Sequence, residues 1–138
     1  MITPGQYGVD LWAMEVAILL KQDYPHLKCS IIAAYLNPED KWKDDKKEYF
    51  HQIIKGLDYY ASVSKQPYEG PWQLKARDDL LFRKTDGIVL LYDEDAGEGS
   101  PKFYKERALR KQQEEDYTYI SISSDDIQSI ADDERYNE

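Results

Sequence analysis

"LKCSIIAAYL" at residues 27–36 is the stretch of sequence that decides the fold class. The run is almost entirely apolar, and it is bounded by Pro25 on one side and by Asn37-Pro38 on the other. Such a run is typical of a buried parallel strand, because helices cover both faces of a parallel sheet. The sequence therefore predicts a buried strand at this position.

Helical patterns flank this strand on both sides. Upstream, Tyr24-Pro25 ends a helix whose apolar residues recur at helical spacing, namely Val9, Trp12, Ala13, Val16, Leu19 and Leu20. Downstream, Gly56 closes a second amphipathic helix that contains Trp42, Tyr49, Phe50, Ile53 and Ile54. Helix, strand and helix therefore follow one another in the first part of the chain.

The same alternation continues to the end of the chain. Strands are predicted at 58–64, 86–93 and 117–122, and helices near 72–84, through about Glu115, and after a cap at Ser123 or Ser124. Alternating strands and helices indicate an α/β sandwich around a mainly parallel sheet. We expect one domain over 1–132, followed by an acidic frayed tail at 133–138.

Composition excludes several classes of protein. A formal net charge of −9 over 138 residues argues against binding to nucleic acid or to an anionic membrane. The single cysteine, Cys29, cannot form an intramolecular disulfide or a cysteine-rich metal site, and we expect it to be a core residue. No apolar run approaches the roughly 20 residues that span a bilayer, and no secretion signal is present. We predict a cytoplasmic protein without a metal.

A Gly-x-x-Gly turn, "GQYGVD" at 5–10, opens the first helix. Glycines allow backbone N–H groups to approach a phosphate, and Asp10 could accept hydrogen bonds from a ribose. Alternatively, the turn is an ordinary helix start in which Asp10 offsets the helix dipole. Only four residues precede Gly5, so the strand that usually supports such a turn is almost entirely missing.

A second glycine loop, "GEGSPKF" at 97–103, follows the strongest strand pattern of the chain, "DGIVLLYD" at 86–93. Ser100 and Pro101 define a helix start, and Lys102 could meet a phosphate. Either this loop binds an anion or it is a well-formed helix cap and nothing more.

The third helix has a polar pair, Arg77 and Asp78, between Leu74 and Leu81 of its apolar stripe. The pair either lies at a solvated edge, which is the commoner case, or orients a ligand. His26 and His51 are expected at the surface. The sequence contains none of the His-Glu-x-x-His, Gly-x-Ser-x-Gly or Cys-x-x-Cys catalytic motifs.

Six stretches, by their order and spacing, resemble the YpsA-like (UPF0398-type) family, a Rossmann-like branch of the SLOG superfamily. They are "GQYGVDLWAMEVA" (5–17), "YPHLK" (24–28), "KW" (41–42), "PYEGPWQLKARDD" (67–79), "DGIVLLYD" (86–93) and "EGSPKF" (98–103). LOG-type phosphoribohydrolases and the DNA-processing DprA proteins belong to the same superfamily. The resemblance implies a Rossmann-like three-layer sandwich with a mainly parallel sheet.

The resemblance also implies a nucleotide or ADP-ribose-like ligand and a sensor or regulatory role. The family's Gly-x-Asp/Glu feature falls on Gly8 and Asp10, with Trp12 as a wall of the cleft. The implied ligand-binding residues are Gly5, Gly8, Asp10, Trp12, Tyr68, Gln73, Arg77, Gly99, Ser100 and Lys102. Relatives linked to cell-division control imply a protein partner, for which the acidic surface would suit a basic protein.

The alternative function is hydrolysis of an N-glycosidic or phosphoribosyl bond, as the LOG relatives perform. This chemistry needs a positioned carboxylate, for which Asp10 is the first candidate and Glu15 or Glu69 the second. The Pro-Gly-Gly-x-Gly-Thr-x-x-Glu motif of those enzymes is absent, because "GEGSPKF" stands in its place.

The chain departs from the family pattern in two ways. Asp78 stands where relatives tend to carry Asn, and its charge would repel a phosphate unless Arg77 or Lys75 neutralises it. The strand–helix–strand segment that precedes the glycine turn in relatives is missing, so the chain reads as N-terminally truncated. We expect unpaired strand edges, with weakened ligand binding or a homodimer that covers the gap.

Overall fold

The computed structural model describes residues 1–92 and 100–136, without the side chains of residues 100, 135 and 136. The chain forms two compact units, unit 1 (Met1–Arg83) and unit 2 (Lys84–Glu138). No helix within the described ranges is long and apolar enough to cross a membrane.

Unit 1 alternates strands and helices around a three-stranded parallel sheet. Its elements are β1 (Ile2–Thr3), α1 (Val9–Leu20), β2 (Ser30–Ala33), α2 (Asp44–Lys55), β3 (Tyr59–Ser62) and α3 (Pro71–Lys84), the last of which ends at the unit boundary. The strand order is β1-β2-β3, with Thr3 opposite Ile31 and Ile31 opposite Tyr60. Because all three strands run parallel, their carboxyl ends meet at one edge of the sheet.

A short strand does precede the glycine turn. Ile2 and Thr3 pair with β2, and the Ser30 amide donates to the Met1 carbonyl at 2.9 Å. The strand that precedes the turn therefore consists of two residues. β2 is also shorter than the predicted 27–36, because the Cys29 amide pairs with the Asp58 carboxylate at 2.8 Å instead of with a strand.

The core of unit 1 lies between α1, α2 and the sheet. Its fully or nearly fully buried members are Leu11, Met14, Ala17, Cys29, Ile31, Phe50 and Ile53. Gly56 closes α2 as predicted, and a Cβ there would lie 2.9 Å from Ile18 Cδ1 of α1. The lack of a side chain at Gly56 therefore allows α1 and α2 to pack closely.

Most of the apolar residues whose spacing predicts α1 lie on the exposed face of the helix and not in the core. Val9, Trp12, Val16, Leu19 and Leu20 are 41–62% exposed, whereas Leu11, Met14 and Ala17 face the core. α1 carries apolar residues around nearly its whole circumference, so spacing alone does not select one face.

Unit 2 contains β4 (Gly87–Leu91), α4 (Ser100–Glu114), β5 (Thr118–Ile122) and α5 (Ser124–Tyr136). β4 and β5 are parallel, with Gly87 opposite Thr118. Ser123 caps α5, because its hydroxyl accepts from the Asp126 amide at 3.1 Å while the Asp126 carboxylate accepts from the Ser123 amide at 2.9 Å. α5 runs on to Tyr136, so its helical residues include 133–136 of the segment expected to fray.

The α/β Rossmann-like class predicted from the sequence is confirmed. All strand pairs among the described residues are parallel, and helices connect them. The described strands form two sheets, where the sequence predicts one. The single domain over 1–132 stays a prediction.

Candidate ligand site at the carboxyl edge of the first sheet

Three segments leave the carboxyl edge of the sheet in unit 1. Residues 4–8 follow β1, residues 34–37 follow β2, and residues 63–70 follow β3. In open parallel sheets, ligands bind at this edge. These segments, together with the start of α1 and the inner face of α3, form the candidate site.

The glycine turn adopts a backbone that requires glycine at two positions. Gly5 has a φ of 76° and Gly8 a φ of 112°, both in the region that side chains disfavour. A Cβ at Gly5 would also lie 2.5 Å from Ile31 Cγ2, whereas no heavy atom of the described residues lies within 4 Å of a Cβ at Gly8. Position 5 therefore requires glycine because of its backbone conformation and its contact with Ile31. Position 8 requires glycine because of its conformation alone.

Gly8 is the N-cap of α1, and among the described residues no side chain caps this helix. The Gly8 carbonyl accepts the Trp12 amide at 3.0 Å, which closes the first helical turn. The first amide groups of a helix have no partner inside the helix and carry the positive end of its dipole. The start of α1 can therefore bind an anion.

Asp10 lies in the first turn of α1, and its carboxylate reaches back to the glycine turn. Asp10 Oδ2 accepts the Gln6 amide at 3.1 Å, while Asp10 Oδ1 has no hydrogen-bond partner among the described residues. Burial raises the pKa of this carboxyl, opposed by the Gln6 hydrogen bond and the Arg77 charge. Asp10 therefore holds the turn with one oxygen and has the other available.

Thr3 is a polar residue of the site that the sequence analysis did not identify. Its side chain is 7% exposed, and Oγ1 is buried without a hydrogen-bond partner in the described part of the chain. Thr3 is the last residue of β1 and lies opposite the fully buried Ile31. The sequence does not reveal this pairing, and no motif in it marks Thr3 as buried.

Tyr7 fastens the glycine turn to α2. Its ring makes edge contacts with Trp42 at 5.9 Å and with Tyr49 at 6.4 Å between centroids, and Lys46 Nζ lies 4.5 Å from its centre. Such aromatic and cation–π contacts stabilise by about 0.5–1.5 kcal/mol each. The turn is therefore held by α2 as well as by β1.

Glu15, one of the two second candidates for a catalytic carboxylate, is hydrogen-bonded to Tyr49 of α2. The Tyr49 hydroxyl donates to Glu15 Oε2 at 2.6 Å. Burial and this hydrogen bond raise the pKa of Tyr49 to about 12, so the phenol keeps its proton. Glu69, the other second choice, is exposed.

Arg77 and Asp78 are buried, at 3% and 8% exposure, so the expectation of a solvated edge is wrong. α3 faces inward with Gln73, Arg77, Asp78 and Phe82. Arg77 Nε and one terminal nitrogen both donate to Asp78 Oδ1, at 3.2 and 3.0 Å. Arg77 thus neutralises the Asp78 charge. Its charge also opposes the rise in the pKa of Asp10 that burial causes.

Gln73 is fully buried, and its amide group holds the loop that follows β3. Its oxygen accepts the Glu69 and Gly70 amides at 2.7 and 3.3 Å. Its nitrogen donates to Ser64 Oγ at 3.0 Å and to the Pro67 carbonyl at 2.9 Å. These four bonds use the full hydrogen-bonding capacity of the amide, so the contacts of Gln73 favour a positioning role.

Tyr68 and Trp12 are both exposed. The Tyr68 ring contacts Tyr35, a residue absent from the predicted set, with centroids 5.2 Å apart and an angle of 63° between planes. Tyr35 follows the end of β2, and this position at a strand end is the sequence signal that could have found it. Trp12 lies on the outward face of α1, and its role as a cleft wall stays a prediction.

The remaining predicted residues belong to unit 2. Gly99 lies outside the described residues, and Ser100 is the first residue of α4. Lys102 is partly buried in the first turn of α4. The joining of the two glycine loops in one site stays a prediction.

Cys29 is fully buried, as expected. His26 and His51 are exposed, as expected, although His51 Nε2 lies 3.1 Å from Glu39 Oε2.

Comparison with known proteins identifies one family. A family model described as the YspA SLOG family, designated YpsA, matches residues 1–127. A UPF0398 protein of Brevibacillus brevis is 43% identical over 135 residues, which cover 98% of this chain and 71% of that protein. UPF0398 proteins of Lysinibacillus sphaericus and Halalkalibacterium halodurans are 42% and 40% identical over 131 and 134 residues, covering 95% and 97% of this chain and 73% and 70% of those proteins.

Proposed function

The chain belongs to the YspA SLOG family, and we propose that it binds a nucleotide or an ADP-ribose-like ligand at the carboxyl edge of the first sheet. The observation that carries this proposal is the Asp10 carboxylate, which has one oxygen available beside the uncapped start of α1. A regulatory or sensor role follows if binding occurs without turnover.

The polar groups of the turn match two parts of a nucleotide. Helix amides at an uncapped N-terminus suit a phosphate. A carboxylate repels phosphate but accepts hydrogen bonds from hydroxyl groups, so Asp10 suits the ribose. The buried hydroxyl of Thr3 can supply a further hydrogen bond at the base of the turn. Arg77, which is paired with Asp78, also opposes the rise in the pKa of Asp10.

The ionised Asp10 carboxylate lowers the stability of the folded protein, which a purely structural residue would not need to do. Its raised pKa means that the ionised form is less stable in the folded protein than in the unfolded chain. An asparagine could accept the Gln6 amide equally well without a charge. Perturbed carboxylates of this kind are concentrated at functional sites, which supports a role for the second oxygen.

A thermal-shift titration tests the proposal. AMP, NAD or ADP-ribose at about a hundred times its Kd should stabilise the chain by about 2.7 kcal/mol, or about 6 to 15 °C in Tm. Asp10→Asn should lower the affinity about tenfold or more, because a hydrogen bond to a charged group is lost.

The matched control is Asp45→Asn, which removes an exposed carboxylate from the first turn of α2. This variant should keep the native shift. The absence of a Tm shift with all three compounds, or an equal loss in both variants, would contradict the proposal.

The second candidate is hydrolysis of the N-glycosidic bond of a nucleoside monophosphate. The raised pKa of Asp10 favours it, because a partly buried carboxyl can exchange a proton with an attacking water. Water would add to the ribose carbon as the base leaves, giving a free base and ribose 5-phosphate. Chromatography after incubation with AMP should then show adenine, and Asp10→Asn should abolish its release. A protein partner, a homodimer and a link to cell-division control stay predictions.

A further inference from the structure

We infer that Tyr35 and Tyr68 form an aromatic wall, here called the tyrosine wall, in which Tyr68 stacks on the base of the bound nucleotide and Tyr35 supports the Tyr68 ring by an edge contact. This inference rests on the proposed function and extends it from the phosphate and ribose to the base. It also gives Gln73 the role of a positioning residue that aims Tyr68, and not that of a ligand contact.

The two tyrosines come from neighbouring segments of the same sheet edge. Tyr35 follows β2 and Tyr68 lies in the loop after β3, and their ring centroids are 5.2 Å apart. The glycine turn follows β1, which is the other neighbour of β2. Two strand spacings, about 10 Å in all, therefore separate the origins of the turn and of the Tyr68 loop. One nucleoside phosphate can bridge this distance.

The Tyr68 loop is held in place before any ligand arrives. Gln73 binds this loop at Ser64, Pro67, Glu69 and Gly70, on both sides of Tyr68. The Leu36 amide donates to the Gln66 carbonyl at 2.8 Å, which ties the segment carrying Tyr35 to the same loop. Both rings are therefore attached to backbone that is fixed by buried or short hydrogen bonds.

Exposed tyrosines are common on protein surfaces and need no special explanation when they stand alone. Tyr68 differs because a fully buried glutamine supports its loop while 55% of the residue faces solvent. A rigid backbone that presents an exposed ring loses little conformational entropy on binding. Stacking on aromatic side chains recognises the flat face of a base, which carries no net charge. The net charge of −9 therefore does not oppose this contact.

The test compares a ligand with a base and a ligand without one. Affinities of AMP and ribose 5-phosphate are measured by calorimetry for the native chain, Tyr68→Ala and Tyr68→Phe. Tyr68→Ala should lower the affinity for AMP by roughly 5- to 100-fold, because stacking on one base is lost. The affinity for ribose 5-phosphate should stay unchanged. Tyr68→Phe should keep the native affinity for AMP, because the ring remains.

Gln73→Ala gives a second readout on the same comparison. If Gln73 aims Tyr68, this variant should have a lower affinity for AMP and an unchanged affinity for ribose 5-phosphate. General destabilisation would not produce this difference. Circular dichroism identifies any variant that fails to fold, and the exposed Tyr68 variants then carry the test alone.

The outcomes separate the two levels of the proposal. If Tyr68→Ala weakens both ligands equally, or neither, the tyrosine wall is overturned while the proposed function stands. If the native chain binds AMP and ribose 5-phosphate equally well, the base makes no contact and the wall is overturned again. If the native chain binds neither compound, the tyrosine wall is overturned, and the proposed function is overturned with it only if NAD and ADP-ribose also give no shift in Tm.

Discussion

The glycine turn at 5–10 and the loop at 64–70 leave the same sheet edge but differ in how their polar groups are satisfied. In the turn, Asp10 has an available oxygen, Thr3 has a buried hydroxyl without a partner among the described residues, and no described side chain caps α1. In the loop, Gln73 makes four hydrogen bonds. The polar groups without a partner in the turn and in the strand before it are available to a ligand, whereas the saturated loop is a support.

Gln73→Leu should have the largest effect on stability. It leaves two amides and one carbonyl of the loop without their partner and removes one of the two donors to Ser64 Oγ, at about 1–3 kcal/mol for each group that water cannot reach. We expect the free energy of unfolding to fall by about 3 to 5 kcal/mol in urea denaturation.

Gln66→Leu is the matched control, because its exposed side chain makes no hydrogen bond or ion pair with the described residues. This change should stay within about 0.5 kcal/mol. Equal effects of the two substitutions would show that Gln73 does not support the loop.

Gly5→Ala should destabilise more than Gly8→Ala. Both positions have positive φ angles, which cost an alanine about 1–3 kcal/mol. Only Gly5 adds a contact of 2.5 Å with Ile31 Cγ2, for which overpacking costs about 1–3 kcal/mol. We expect losses of about 2 to 5 and about 1 to 3 kcal/mol, measured by thermal unfolding. A Gly8 variant that is the less stable of the two would contradict the stated geometry of the turn.

Thr3→Val and Ser64→Ala should differ in their effect on the free energy of unfolding. Ser64 Oγ accepts hydrogen bonds from Gln66 and Gln73, so its loss should cost about 1 to 2 kcal/mol. The Thr3 hydroxyl is buried without a partner among the described residues, so its removal should be neutral or should stabilise by up to about 1 kcal/mol. A clear loss of stability in Thr3→Val would mean that the hydroxyl is already satisfied in the protein.

Asp10→Asn should have the smallest effect on stability, and that effect should depend on pH. Burial raises the folded-state pKa above the ordinary value of 3.8, so the fold is favoured below that value and loses this contribution as pH rises through the folded pKa. The variant should therefore be more stable than the native chain at pH 7, and the difference should vanish below about pH 4. Thermal unfolding across this range would contradict the shift if the two chains differed equally at every pH.

Much of the secondary structure follows from local sequence. The glycine at 56 and the serine at 123 end or begin helices where the sequence predicts them, because these residues act on their own backbone. The predicted end of α1 at Tyr24-Pro25 is wrong, because the helix already ends at Leu20. Parallel pairing follows from the alternation of strands and helices. The inward face of α1 does not follow, because that helix is apolar on nearly every side.

The sequence by itself determined the α/β class, the family and the glycine turn with Asp10 at its helix start, since each follows from local patterns and from their order along the chain. Only the tertiary structure decided that Arg77 and Asp78 are buried, that Gln73 is saturated, and that Thr3 has no described partner. The physical reason is that a local pattern specifies backbone conformation, whereas burial and hydrogen bonding are set by segments distant in sequence. The tyrosine wall belongs to the second kind, because Tyr35 and Tyr68 meet only when β2 and β3 pair.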